Sequence, residues 1–362
     1  MKICFICSEF FAWGKYGGFG RATRMLSREL VKRDVDVCAV VPRRRAQQPV
    51  EILDGITVYS YPFRTIMSCG ELFKTCDADV YHSEQPSLTT YNAMKAMPSK
   101  KHLITFRDPK GWHDWLEEIK APSVNRIRAL LALLYEHNYF VTKALQRADA
   151  LCYCSRYLGA IVPRVYSINK KVSFLPNPIY VPDVVPKKRQ TPTVAFVGRW
   201  DRRKRPQLFF ELARRHPSVR FIAPGKSQDQ TWDRFLRETY GSLPNVEMPG
   251  FIDQFTTTTL FEILEKSWIV VNTSTREGLP TSFLEALAHK CALLSAVNPE
   301  RLSERYGYHV HDGNFDRGLS LLLQNGQWRV KGEEGYQYVK EHYELENTIA
   351  AHIATYNALL EK

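Results

Sequence analysis

The chain has 362 residues, room for about two domains at roughly 150 residues each. A composition of 44% hydrophobic, 24% charged and 12% aromatic residues excludes a disordered chain, a collagen-like repeat and a disulfide-stapled miniprotein. Lysine plus arginine number 50 against 38 aspartates and glutamates, a net charge of +12 that favours anionic partners without naming one. The longest apolar runs, such as Ala129–Tyr135, fall far short of the ~18–20 residues that span a bilayer. Ile3–Cys7, stopped by Glu9, is too short for a signal-peptide core. The expectation is a soluble cytoplasmic protein. Its eight cysteines (Cys4, Cys7, Cys38, Cys69, Cys76, Cys152, Cys154 and Cys291) are scattered through apolar runs without zinc spacing and read as reduced, buried thiols.

In chain order, short apolar runs alternate with helical patterns. Strands are predicted at Lys2–Cys7, Val35–Val41, Ile56–Tyr61, Ala78–His82, His102–Phe106, Ala150–Cys154 and Lys171–Leu175. Between the first two, Phe19, Ala22, Met25, Leu26 and Leu30 recur at helical spacing and predict one apolar stripe. Helical region Arg126–Arg147 mixes Ile127, Leu130, Leu131, Leu134, Tyr135 and Tyr139 with Arg126, Arg128, Lys143 and Arg147. It reads either as a helix packed on its own sheet or as a surface docking on anionic lipid. Residues 176–192 then carry five prolines and no period, a linker signature. Beyond them strands are predicted at Thr193–Val197, Val219–Ala223, Val246–Met248, Trp268–Asn272 and Ala292–Ser295. The alternation predicts an α/β protein of two doubly wound, Rossmann-like domains, residues 1–183 and 184–344, with a last helix over 345–362 packing back on the first. The default ligand site is the cleft that two such domains face.

Three stretches could carry chemistry. Gly14, Gly17, Gly18 and Gly20 follow the first strand, but Thr23 stands where a dinucleotide fingerprint needs its third glycine, and Ser8–Tyr16 is too long for the tight turn. Gly17 and Gly18 open a helix N-terminus suited to an anion, or they merely permit a turn. Arg43–Arg45 after the second strand could mimic a 2′-phosphate site. The second stretch is Gly198-Arg199 through Lys204, on a loop before a helix beginning near Arg205-Pro206. It belongs to the most basic segment of the chain, with eight basic residues against one acidic between Lys187 and Arg205, so Arg199 and Lys204 could grip one phosphorylated ligand or simply form a solvated face. The third is Glu277-Gly-Leu-Pro-Thr-Ser-Phe-Leu-Glu285, where Gly278 and Pro280 hold Glu277 in a loop and Glu285 falls on the second turn of the helix that follows. Two carboxylates flanking a helix N-terminus suit a ligand with hydroxyls at both ends and phosphates between them, a nucleotide sugar.

Val197–Lys204 (VGRWDRRK) together with Glu277–Ala288 (EGLPTSFLEALA) closely resembles the GT-B retaining glycosyltransferases of family 4. Gly17-Gly18-Phe19-Gly20, Asp79-Val80-Tyr81-His82 and Leu175-Pro176-Asn177 support the resemblance, which spans the chain and is strongest in the second half. Pro178 stands where the family usually has glycine. The resemblance implies that Arg199 and Lys204 neutralise the donor diphosphate, with Gly198 in the same loop. It implies that Glu285 holds the ribose and Glu277 the transferred sugar, while Gly278 and Leu279 supply amides. Gly17 and Gly18 would lie near the donor phosphate from the opposite lip of the cleft. Lys15, in Lys15-Tyr16-Gly17-Gly18, resembles the Lys-x-Gly-Gly loop of glycogen synthases with one residue inserted. Arg107-Asp108 stands where many relatives carry His-Asp.

The implied function is retaining transfer of a sugar from a nucleoside-diphosphate donor to the hydroxyl of a glycan or lipid-linked glycan, with no metal and no other cofactor. Asp34-Val-Asp36 and Asp77-Ala-Asp79 each open a strand at the end away from the expected cleft. Alternatives are a nucleotide-sugar epimerase of the same fold and an NAD(P) oxidoreductase, which the broken glycine pattern disfavours. Nucleic acid is not expected as a partner, because no stacking-aromatic or helix-turn-helix pattern accompanies the basic residues.

Overall fold

The computed structural model of the protein describes residues 1–10, 17–44, 47–120 and 126–362. Lys15 and Arg45, singled out above, lie outside the described residues. The chain divides into two compact units, residues 1–178 with 346–362, and residues 179–345. The division falls within the proline-rich segment, a few residues before the sequence-based boundary.

Unit 1 runs β1 (Lys2–Ile6), α1 (Gly18–Val31), β2 (Asp36–Pro42), β3 (Val50–Leu53), β4 (Ile56–Tyr61), α2 (Gly70–Cys76), β5 (Val80–Ser83), α3 (Leu88–Ala96), β6 (Lys101–Phe106), α4 (Trp112–Lys120), α5 (Arg126–Glu136), α6 (Tyr139–Arg147), β7 (Ala150–Tyr153), α7 (Leu158–Tyr166) and β8 (Val172–Phe174). The strands form one sheet in the order β3-β4-β2-β1-β5-β6-β7-β8. All neighbours are parallel except β3, which runs antiparallel to β4. Ile3–Phe5 and Val37–Val40 are wholly buried, as strands covered on both faces must be. Of the predicted α1 stripe, Ala22, Leu26 and Leu30 are buried, while Phe19 is exposed and Met25 half-buried. Gly20, Thr23, Arg24 and Ser27 take the remaining buried positions. Thr23 is tolerated there because its hydroxyl donates to the Phe19 carbonyl at 2.9 Å.

The sequence reading missed β3. It pairs with β4 through a turn at Asp54-Gly55, both with positive φ (54° and 77°), the two-residue turn that Asp-Gly favours in hairpins. The Asp54 carboxylate also accepts from Arg24 Nε of α1 at 2.8 Å, tying the hairpin to the helix.

Unit 2 runs β9 (Thr193–Ala195), α8 (Pro206–Arg215), β10 (Arg220–Pro224), α9 (Gln230–Tyr240), β11 (Val246–Gly250), α10 (Thr259–Lys266), β12 (Ile269–Asn272), α11 (Thr281–Ala288), β13 (Ala292–Ser295), α12 (Leu302–Arg305), β14 (Gly307–His309), α13 (Phe315–Leu323) and α14 (Gln327–His342). Its sheet is parallel throughout, in the order β11-β10-β9-β12-β13-β14. The three-residue edge strand β14 also went unpredicted. Trp200, Phe209, Phe210 and Phe221 fill the core. The chain ends in α15 (Leu345–Leu360), most of which belongs to unit 1. There the Tyr356 hydroxyl shares a hydrogen bond with His82 Nδ1 at 2.8 Å, and His352 Nε2 shares one with the Pro176 carbonyl at 3.0 Å.

Candidate functional site

The unit 2 sheet reverses its winding direction between β9 and β12, which are neighbours. Ligands of doubly wound sheets bind outside the carboxyl ends of the strands at such a point. The two loops leaving β9 and β12 carry Gly198–Arg205 and Thr273–Pro280, the two stretches singled out by sequence.

These loops are fastened to each other. The Thr273 hydroxyl bonds to the Lys204 and Arg205 carbonyls at 2.6 and 2.9 Å. Arg205, at φ 47° before Pro206 opens α8, donates from Nε to the Thr273 carbonyl at 2.5 Å. Its charge therefore serves the loop. Lys204 sits in a short 3₁₀ turn and donates from Nζ to Glu277 Oε1. The same carboxylate accepts from the Ser274 hydroxyl at 2.6 Å and lies 3.5 Å from Asn272 Nδ2. Burial pushes the Glu277 carboxyl up, but the Lys204 charge and the hydrogen bonds from Lys204 and Ser274 outweigh it. The group is held below its ordinary range and stays ionised at neutral pH.

Gly278 and Leu279 follow in a half-buried bend, and α11 begins at Thr281 after Pro280. Pro280 occupies the cap position (φ −64°, ψ 125°), one place before the first-turn slot expected for it. Glu285 lies on the second turn of α11 and is buried. Arg199, partly exposed, has Nε 3.3 Å from Asp201 Oδ2. Arg202 turns away: its guanidinium lies over the Trp232 ring at 4.3 Å and pairs with Asp229 at 3.5 Å. Lys188, from the same basic segment, is half-buried and donates to the Leu264, Ser267 and His289 carbonyls. The basic stretch thus divides into charges that hold the fold (Lys188, Arg202, Arg205) and charges at the strands' carboxyl ends (Arg199, Lys204).

Sequence reasoning missed Gly225, which ends β10's turn at φ 140°, and the polar cluster Asn272, Thr273 and Ser274. A Cβ on Gly225 would stand 2.3 Å from the Gly198 carbonyl oxygen, so only glycine lets the β10 loop close against the Gly198 loop. The cluster left a readable trace: three consecutive short polar residues at the end of an apolar strand.

In unit 1, Gly17 caps α1 in extended conformation and Gly18 is its first residue. A Cβ on Gly17 would come within 2.5 Å of the Glu9 carboxylate, so the start of α1 faces a carboxylate of its own unit. Lys15 is not among the described residues. Arg107 is buried in an ion pair with Glu84, and the Arg107 amide donates to Gln85 Oε1 at 3.1 Å. His82 is buried between Tyr356 and Thr105.

The Asp-x-Asp pairs lie at the strands' amino ends. Asp36 is 3.5 Å from Lys2 Nζ, Asp77 is 2.9 Å from Lys100 Nζ, and Asp79 accepts from the Lys2 amide at 2.8 Å. Among the described residues, one grouping has three metal-type ligand atoms within 4.8 Å of one another: Cys4, Cys38 and Cys76. Linear spacing could not reveal it, because β1, β2 and α2 each supply one. All three sit inside an apolar cluster with Ile6, Val40 and Phe73.

The sequence matches the family model described as "Glycosyl transferases group 1" over residues 182–311 and the one described as "Glycosyltransferase Family 4" over residues 16–181. No curated protein matches the sequence. Similar solved structures include sucrose-phosphate synthase from Thermosynechococcus elongatus, with TM-score 0.77, 17% identity and 99% of each chain covered. The HepE protein of Anabaena, solved with UDP and glucose, gives TM-score 0.70 at 13% identity, covering 99% of this chain and 100% of its own. The pneumococcal O-GlcNAc transferase GtfA, solved with UDP and GlcNAc, gives 0.72 at 9% identity, covering 100% and 99%. At these identities the structures speak for the fold, which is GT-B with two Rossmann-like units.

Proposed function

The chain belongs to the group 1 glycosyltransferases of family 4, and from that premise we propose that it moves a sugar from a nucleoside-diphosphate donor to an acceptor hydroxyl with retention, without a metal. The acceptor in this reading is a glycan or a lipid-linked glycan. The observation that carries the reading is the junction of Lys204 with Glu277 at the switch point of the unit 2 sheet, beside the first turn of α11.

Each group has a task that follows from its chemistry. Arg199 and Lys204 offer fixed positive charge to a diphosphate whose negative charge grows as it leaves. The amides of Gly278 and Leu279 and the start of α11 add donors that need no reorganisation. Glu277, ionised, accepts from hydroxyls of the transferred sugar, and Glu285 accepts from the ribose. The acceptor oxygen forms its bond to the anomeric carbon on the face the diphosphate leaves. The carbon–oxygen bond to phosphate breaks, and the departing phosphate oxygen takes the acceptor's proton. No enzyme nucleophile is required.

A thermal-shift screen against nucleotide sugars tests the donor, since a ligand at 100 times its Kd stabilises by about 2.7 kcal/mol. The expected result is a raised midpoint with one or a few nucleoside-diphosphate sugars. A shift with NADPH and with no nucleotide sugar would return the chain to the oxidoreductase reading.

A further inference from the structure

Three thiols of unit 1 converge at a place that the transfer reaction does not use. Parallel pairing sets Cys4 of β1 directly beside Cys38 of β2 and, on its other side, Tyr81 of β5. Residues paired in this way share one face of the sheet, so the two sulfurs and the Tyr81 ring form a row. Helix α2 packs on that row through Phe73 and Cys76. The Tyr81 hydroxyl donates to the Phe73 carbonyl at 2.6 Å, and the helix stops at Asp77, whose φ is 39°. Cys76, the last helical residue, is thereby held at the row. The three Sγ atoms all lie within 4.8 Å of one another. An apolar cluster calls for small side chains but not for sulfur, and Ala78 and Ala93 meet that need in the same cluster. Cys69, also there, has a separate contact, accepting from Asn92 Nδ2 at 3.7 Å. What three converging sulfurs offer beyond packing is a set of ligand atoms.

Ligand chemistry selects the ion. Thiolates are soft ligands that favour copper(I) or zinc over magnesium and calcium. Zinc is almost always held by four ligands, and among the described residues no fourth histidine, cysteine or carboxylate joins the three. Copper(I) is satisfied by three sulfurs. Thiolates around a monovalent ion leave surplus negative charge, and the Lys2 ammonium, which also pairs with Asp36 at 3.5 Å, lies within electrostatic reach of Cys38 and Cys76 to offset part of it. Lys2 and Tyr59 are both half-buried and border the cluster, so one layer of side chains separates the sulfurs from water.

We propose that Cys4, Cys38 and Cys76 form a three-coordinate thiolate site for copper(I). Each thiol that coordinates gives its proton to water, and the copper stays monovalent, so no oxidant or reductant is consumed. The ion ties β1, β2 and α2 together and stabilises the folded chain that binds it. The site belongs to unit 1, whereas Arg199, Lys204 and Glu277 belong to unit 2. The inference is therefore independent of the transferase reading, and transfer without a divalent cation stands or falls apart from it.

The test is anaerobic titration of the reduced full chain with copper(I) against a chromophoric copper(I) chelator, followed by X-ray absorption of the copper-loaded protein. The expected result is one copper(I) held per chain, three sulfur neighbours around it and a raised melting midpoint. Cys38→Ala and Cys76→Ala, made separately, should each weaken binding by more than the ~10–100-fold that loss of an outer-shell partner costs. Cys152→Ala, a buried thiol of β7 outside the cluster, should bind like the parent. The sulfur count is read on the parent, so it decides even where a variant fails to fold. No copper retained against the chelator, nitrogen or oxygen among its neighbours, or cluster variants that bind like the parent would each overturn the proposal. So would a midpoint raised by zinc(II) and not by copper(I).

Discussion

Lys204 and Glu277 hold each other at the switch point of the unit 2 sheet, and in the proposed reading both are needed for transfer. Arg199→Ala and Lys204→Ala should each lower kcat/KM by about 10²–10³, or ~3–4 kcal/mol of transition-state stabilisation. Arg202→Ala should do far less, since that guanidinium is committed to Trp232 and Asp229. Steady-state kinetics across the three variants checks this, and an Arg202→Ala loss as large as that of Arg199→Ala would reassign the faces of the loop. Glu277→Gln should also be severe, because an amide replaces only part of the carboxylate's accepting capacity. The carboxyl of Glu277 is held below its ordinary range, so its contribution to stability is present above about pH 4.3, the unfolded value. That contribution is lost as pH falls through the lower folded value. Melting midpoints should therefore fall on acidification below that pH more steeply in the parent than in Glu277→Gln.

Among the elements, Gly225 offers the sharpest structural test. A methyl there meets the Gly198 carbonyl at 2.3 Å on a backbone at φ 140°, so Gly225→Ala should cost about 2 kcal/mol or more. It should also displace the loop that carries Arg199. Thermal unfolding and donor titration read the two effects, and an unshifted midpoint would mean the β10 loop yields freely. The same element scale shows what the sequence could and could not tell. Interior strands such as β1, β12 and β13 were legible because burial on both faces demands an unbroken apolar run. The edge strands β3 and β14 escaped: three or four residues, none of them fully buried, leave no such run. For β3 the Asp54-Gly55 turn was a usable signal that outweighed its weak pattern. In the site, Arg199, Lys204 and Glu277 were legible as charges placed at strand ends. Gly225 was not, and the Asn272-Thr273-Ser274 run marked a polar strand end without showing the role of Thr273, because these roles are a close approach and a hydrogen bond between loops 20 or more residues apart in sequence. Lys188 and Arg205 show the converse, charges that read as solvated or ligand-binding and prove to bond backbone carbonyls.

At the scale of the molecule, the last helix returns to the first unit. Burial, with the Arg107 charge adding to it, lowers the His352 imidazole to about 4, so the folded state keeps it neutral where the unfolded chain would bind a proton. Its stabilisation is full above the unfolded value near pH 6.5 and is lost as pH falls towards 4. Replacing it by glutamine should flatten the decline of stability in that window by about 1.4 kcal/mol per pH unit, measured by urea unfolding at successive pH values. An unchanged slope would mean that α15 is held by its other contacts alone.

The central claim concerns the reaction: fixed positive groups of unit 2, with no divalent cation, accept the departing diphosphate, and the sugar is transferred with retention. One reaction reads both halves, run with and without a strong chelator and followed by NMR of the product's anomeric proton. The account predicts undiminished turnover in chelator and a product with the donor's anomeric configuration. Turnover abolished by chelator and restored by magnesium or manganese, or an inverted product, would contradict it.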